Sequence, residues 1–215
     1  MHHSTPDELL SVVRSRAEQA SQLLVGLVGP PGVGKSTMAT WLANESNGVA
    51  VPMDGFHLDH RVLVAQGHAD RKGAPFTFDS WGFARTIERL ANRGDGETVY
   101  FPRFDRTIDN AIAGSIEVTD QPVIVVEGNY LLLDDEPWRR ARSALDLVAY
   151  LDLSERVRLL RLMRRHVRHG KTRRAAAAFV RSSDEVNATR IDAGRERADV
   201  VVTVDRFGSG APAVR

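Results

Sequence analysis

The sequence predicts an α/β fold of three layers, with helices on both faces of a central parallel sheet. Three observations predict it. Apolar runs without alternation recur at Leu23–Val28, 123–126, 147–151 and 200–204, the pattern of strands buried on both faces. Between them lie stretches of one-sided helical spacing, such as 35–45, 80–91 and 155–167, and strands alternating with helices build parallel sheets. The first apolar run passes directly into a glycine-rich turn, Gly29-Pro30-Pro31-Gly32-Val33-Gly34-Lys35-Ser36. This is a full match to G-x-x-x-x-G-K-[ST], in the strand–loop–helix setting the motif requires.

The spacing of that motif follows from phosphate chemistry. Gly29, Gly32 and Gly34 let backbone N–H groups converge on phosphate oxygens with no Cβ in the way. Pro30, Pro31 and Val33 fill the positions between them. The helix from Lys35 adds its N-terminal N–H groups and the positive end of its dipole. Lys35 reaches the β- and γ-phosphates, Ser36 offers its hydroxyl to Mg²⁺, and Thr37 completes the first helical turn. ATP and Mg²⁺ are the expected cofactors, and the three-layer α/β/α sandwich is expected to be a P-loop NTPase with a small Arg-rich lid.

The rest of the composition narrows the classes. A chain of 215 residues, 42% hydrophobic and 27% charged, reads as a single domain over 1–215 with a lid at about 161–180. A formal net charge of +1 argues for neither nucleic acid nor membrane as partner. With no cysteine, disulfides, thiolate catalysis and Cys-ligated metals are excluded. No apolar run approaches the ~18 residues of a membrane span, and 1–6 lack a signal-peptide core. A cytoplasmic protein is expected, its oligomeric state open, with a dimer among the options. His2 and His3 are assigned no role.

In order, 7–24 carries a helical stripe of Leu9, Leu10, Val12, Val13 and Ala17 behind a cap-like Thr5-Pro6-Asp7-Glu8. The first strand and phosphate loop follow, and the helix from Lys35 ends in the turn chemistry of 44–48. A second strand over 49–53 is joined by a right-handed crossover and pairs in parallel. Its C-terminal end then shares the edge where open α/β sheets bind ligands. Asp54 is the first residue past that strand. It either orients and deprotonates a substrate hydroxyl or merely caps a turn before Gly55. His57 either touches substrate or closes the same turn. The stretch 62–78 reads as a polar loop whose Arg71, Lys72, Phe76 and Phe78 either hold a polar substrate or ride the surface.

Ser80 is read as the cap of a helix through Phe83, Ile87 and Leu90, stopped at Gly94-Asp95-Gly96. A short strand over 98–102 precedes Arg103-Phe104-Asp105-Arg106, a hydroxyl- or phosphate-binding patch or a structural ion pair. The segment to Asp120 reads as a hairpin arm. The strand 122–128 ends in Glu127, an acid placed to order Mg²⁺ or its waters, and Asn129 to Leu133 continue along the cleft. After the strand 147–153, a helix opens at Ser154-Glu155 with Val157, Leu160, Met163 and Val167 on one face. Arg161, Arg164, Arg165 and Arg168 lie on the other, a solvated face or a lid closing on phosphates. A helix over 184–198, a last strand over 198–204 and a loose tail from Gly208 complete the chain.

These residues together resemble the uridine kinase, phosphoribulokinase and pantothenate kinase group of P-loop kinases. GPPGVGKST, MDGFH, VIVVEGNYLLL and RLMRRHVRHGK carry the likeness, which runs from about residue 25 to 204. It is strongest to bacterial nucleoside/nucleotide kinase-like proteins of the fructose-transport kinase type, through PMDGFHLD, RKGAPFTFD, PRFDR and EGNYLLLD. The resemblance implies Asp54 as catalytic base, Lys35 and Ser36 at the phosphates and Mg²⁺, and Glu127 at the metal. It places the lid arginine within 161–168, at Arg165 with Arg161 beside it. Substrate contacts fall on Asp54, His57, Arg71, Arg103, Arg106, Glu127 and Asn129. Phe104-Asp105-Arg106 stands where uridine kinases carry Tyr-Asp-Phe. The implied activity is γ-phosphoryl transfer from ATP to a small-molecule hydroxyl, a nucleoside first and a sugar or pantothenate-like compound as alternatives. A regulatory nucleotide-binding protein is the other class. Asp79-Ser80-Trp81-Gly82 matches D-x-x-G, but none of Lys35, Lys72 and Lys171 lies in [NT]-K-x-D.

Overall fold

The computed structural model describes residues 3–205. Strand β1 (His3–Ser4) leads into helix α1 (Pro6–Ala17). The start of α1 is a capping box: the Thr5 hydroxyl accepts from Glu8 N, and Glu8 Oε2 accepts from Thr5 N at 2.7 Å. Leu9, Leu10 and Val13 turn onto the sheet, while Val12 faces outward, and the helix stops at Ala17, the last residue of the expected stripe. Strand β2 (Leu23–Val28), the phosphate loop, α2 (Lys35–Glu45) and β3 (Val49–Pro52) follow, and Asp54 sits in a single 3₁₀ turn, Met53–Phe56.

The expected loop at 62–78 contains a short helix, α3 (His60–Ala65), capped by Asp59, and two further 3₁₀ turns. Helix α4 (Ser80–Ala91) is capped by Asp79, whose carboxylate accepts from Gly82 N at 2.8 Å, and not by Ser80. Strands β4 (Val99–Asp105) and β5 (Asn110–Val118) form a separate antiparallel hairpin, so β4 runs through Arg103 and Phe104 rather than ending at Pro102. Then come β6 (Val123–Glu127), α5 (Glu136–Ser143), β7 (Leu147–Asp152), α6 (Glu155–Arg168), α7 (Arg173–Phe179), α8 (Glu185–Asp192) and β8 (Val200–Thr203). Helix α8 ends before Gly194, and a 3₁₀ turn replaces the expected helix over 195–197.

The main sheet runs β1-β8-β7-β2-β6-β3 with every pair parallel. Strands β2 and β3 are therefore not neighbours: β6 lies between them and pairs with both. Alternate residues of β2 serve opposite layers. Leu24 and Val28 join a core with Phe83, Ile87 and Trp138 under α4 and α5. Leu23, Val25 and Leu27 join Leu9, Met38 and Leu42 under α1 and α2. Tyr130, Leu131 and Leu132 are buried in the first core, so only Asn129 of that stretch faces the cleft.

Helix α6 buries an unexpected face. Leu160 and Val167 are exposed, and the inward stripe is Arg158, Leu162 and His166 at i, i+4, i+8. Polar and charged side chains enter a core only with partners. Arg158 finds Glu185 at 2.7 Å, and His166 finds Asp184 at 2.7 Å. The tail from Gly208, like His2, lies outside the described residues.

Candidate active site

The register sets three chain ends side by side. Glu127 pairs level with Leu27 on one side and Pro52 on the other. The phosphate loop, Glu127 and Asp54 therefore emerge together at the C-terminal edge of the sheet. A cleft of about 580 Å³ opens there.

In the loop, Gly32 has φ +84° and Gly34 φ +107°, the left-handed region that L-side chains avoid. A Cβ on Gly32 would lie 2.7 Å from Leu162 Cγ and 3.0 Å from Arg158 O. The loop is thus pressed against α6, and only glycine fits. Gly32→Ala is expected to lower stability by about 1–3 kcal/mol and to weaken ATP binding, read by thermal melting and ADP titration. Helix α2 begins at Lys35 with no side-chain cap, which leaves its first N–H groups to an anion.

Lys35 Nζ donates to Gly29 O at 2.8 Å and Pro30 O at 3.4 Å, so the ammonium folds back along the loop. Burial lowers its pKa to about 8, against the opposing pull of Glu127 and Asp54. Ser36 Oγ donates to Glu127 Oε1 at 2.8 Å. Glu127 is only 7% exposed. Burial, then the negative charge of Asp54, pushes its carboxyl up to about 7.

A carboxyl raised in the folded state holds a proton that the unfolded chain has already released. Nucleotide- and metal-free protein should therefore lose stability as pH rises from about 4.5 through 7, by up to roughly 3 kcal/mol. Glu127→Gln should flatten that slope in chemical denaturation across this window.

Asp54 and His57 share one turn. His57 Nδ1 donates to Asp54 O at 2.8 Å, and its ring lies between Phe78 and Phe104, with centroids at 3.9 and 4.9 Å. His57 closes the turn and also lines the cleft. Burial lowers its pKa, and the charges of Asp54, Lys72 and Arg106 act on the same ring. Gly55 lets the turn press on the hairpin, since a Cβ there would overlap Pro102 O. Arg106 Nη2 stands 3.5 Å from Asp54 Oδ2.

Helix α6 roofs the cleft. Arg161 Nη1 donates to Val33 O at 3.1 Å and Arg158 Nη1 to Pro31 O at 3.4 Å. Arg165 is drawn by Asp184 at 3.7 Å, and burial lowers its pKa. Arg164 and Arg168 line the same cavity.

Most of the expected site residues meet here. Pro31, Gly32, Gly34, Lys35, Ser36 and Thr37 line the cleft, as do Asp54, His57, Arg106, Glu127, Asn129, Arg161 and Arg165. Gly29, Pro30 and Val33 lie behind the loop surface, buried. Arg71 and Arg103 do not line the cleft. Arg71 is exposed and stacked on Phe76 at 5.6 Å, and Arg103 points outward from β4. Lys72 lines the wall instead of Arg71. Asp184 and Asn187 also reach the cleft, from a stretch that reads in sequence only as an Arg- and Glu-rich helix.

Among the described residues no cluster of three or more His, Asp or Glu could hold a metal by itself. Ser36 and Glu127 fit Mg²⁺, which takes one or two protein oxygens together with phosphate and water. A second cavity of about 570 Å³ at the opposite sheet edge, around Gln22, Arg93 and Asp146, contains no motif residue. Among the described residues no helix is long and apolar enough to cross a membrane.

Comparison with known proteins matches residues 24–207 to the phosphoribulokinase / uridine kinase family. The Escherichia coli K12 uncharacterized protein YggC is 34% identical over 86% of this chain and 79% of its own length. A Schizosaccharomyces pombe protein named "Putative uridine kinase C227.14" is 32% identical over 93% of this chain and 90% of its own. A solved structure from Silicibacter sp. TM1040, described as a "putative fructose transport system kinase", superposes with a TM-score of 0.84 at 40% identity, covering 92% of this chain and 98% of that one.

Proposed function

Because this chain belongs to the phosphoribulokinase / uridine kinase family of P-loop kinases, we propose that it transfers the γ-phosphoryl group of ATP to a hydroxyl of a small molecule. One observation carries the reading: a single cleft joins Lys35 and Ser36 to Asp54.

The loop amides and the N-terminus of α2 cradle the phosphates, and Lys35 swings from its carbonyl partners to their outer oxygens. Ser36 and Glu127 would hold Mg²⁺, which would offset negative charge on the triphosphate. Asp54 orients the acceptor hydroxyl and takes its proton as the new O–P bond forms and ADP leaves. Arg165, aimed by Asp184, meets the charge spread over the phosphoryl group in transit, and segment 161–180 closes over it.

The test is ADP release by a coupled assay across nucleosides, sugars and pantothenate-like hydroxyl compounds. Uridine and fructose are included because the relatives' names divide between them. Acceptor-dependent release supports the reading. ATP binding with no acceptor turned over would instead fit a nucleotide-binding regulatory protein.

A further inference from the structure

We propose that the acceptor carries an anionic group, a carboxylate or phosphate, near the hydroxyl that is phosphorylated, and that Lys72 and Arg106 bind it. This inference rests on the kinase reading and names the substrate class for the same site.

The acceptor wall of the cleft is formed by Asp54, His57, Lys72, Phe78, Arg106 and Asn129. Its two cations stand at the turn of the β4–β5 hairpin. The triphosphate already has Lys35, Arg161, Arg164, Arg165 and Arg168 on the loop and α6 sides.

Lys72 is held where a lysine is costly. Its side chain is 17% exposed, and its ammonium lies over the Phe104 ring at 4.9 Å. Asp109, itself at φ +51°, fixes it by accepting twice, at O and Oδ2, both 2.8 Å. An ammonium has three donors, so one remains for a ligand. A lysine needed only to pin the hairpin would do so more cheaply from the surface.

Arg106 is held loosely. Its side chain is 57% exposed, and its partner is Asp54 at 3.5 Å, with no hydrogen bond among the described residues. A guanidinium leaning on Asp54 competes for the carboxylate oxygen that an acceptor hydroxyl needs. An anion on the acceptor draws that guanidinium onto itself, bidentate, and frees Asp54 as the hydroxyl arrives. A neutral acceptor would offer no charged partner to the third donor of Lys72 and would leave Arg106 on Asp54.

The test titrates protein already loaded with ADP and Mg²⁺, so that the phosphate loop is filled. Inorganic phosphate and acetate probe the subsite by calorimetry. Fructose 6-phosphate against fructose, and gluconate against sorbitol, probe binding and ATP-dependent turnover. At least one anion should bind, and its parent hydroxyl compound should be favoured in kcat/KM over the uncharged partner, by about 10- to 100-fold. A preference for phosphate points to sugar phosphates, and a preference for acetate to hydroxy acids. Lys72→Gln should erase about 10-fold or more of that preference with ADP affinity unchanged. Asp109→Asn keeps the left-handed turn but removes the competing carboxylate, so anion affinity should hold or rise.

If Asp109→Asn weakens the anion as Lys72→Gln does, the lysine is only a hairpin pin and the inference falls. ADP binding with no anion bound, or equal use of charged and uncharged partners, also overturns it while the kinase reading stands. Failure to bind ADP would remove both.

Discussion

Asp54→Asn is expected to lower kcat by about 10²- to 10⁴-fold, the range spanned by a positioned proton acceptor, with KM for ATP little changed. The two side chains have the same shape, and the fold asks little of this one. It is half-buried at the cleft mouth, with one loose ion partner, Arg106 at 3.5 Å. A half-exposed pair of that kind contributes about 0–1 kcal/mol, so the melting temperature should move little. The change therefore separates chemistry from folding. A second consequence follows from charge alone. Asp54 is one of the groups that raise Glu127. In Asp54→Asn the Glu127 carboxyl should titrate lower, and the fall in stability between pH 4.5 and 7 should become shallower than in the parent.

Lys35→Met is expected to cost about 10²- to 10³-fold in kcat/KM for ATP, the effect of removing one preorganised donor to developing charge. Here, unlike at Asp54, ATP affinity falls as well, because the ammonium serves the bound triphosphate before it reacts. The stability effect runs the other way. Burial is the largest influence on Lys35 and lowers its pKa to about 8. A base lowered on folding costs stability while it is charged, fully below its folded value, and is relieved as pH rises toward its unfolded value. At pH 7 the parent carries that cost and Lys35→Met does not. The variant should melt no lower than the parent without nucleotide and should lose the parent's stabilisation by ADP. Such a trade of stability for function is characteristic of binding sites. Thermal melts with and without ADP at pH 7 read both effects.

The parts of this molecule that are legible in sequence are those written in adjacent residues. The strand at Leu23–Val28, the glycine pattern after it, the acid just beyond β3 and the acid that ends β6 are local signals, and the sheet brings them to one edge. Strand order is not local: nothing near 49–53 says that β6, more than 70 residues on, will insert between β2 and β3. The wall of the cleft is misread by one residue for a similar reason. Arg71 and Lys72 look equivalent in sequence, but Gly73 at φ +100° reverses the chain and its carbonyl is held by Tyr130 and Asn187. Lys72 then faces the cleft and Arg71 stacks on Phe76. The buried face of α6 is hidden because its polar members Arg158 and His166 are admitted by Glu185 and Asp184, on a later segment. Apolar periodicity cannot register a buried charge whose partner lies elsewhere.

The central claim is a distance, and a crystal structure with ADP, Mg²⁺ and the best acceptor from the turnover screen measures it directly. The diphosphate should rest on the amides of residues 29–35, and the acceptor hydroxyl should lie about 2.6–3.2 Å from an Asp54 oxygen, facing the open end of the β-phosphate. An acceptor bound with its hydroxyls away from Asp54, or Asp54 still engaged by Arg106 with the acceptor in place, would contradict the account.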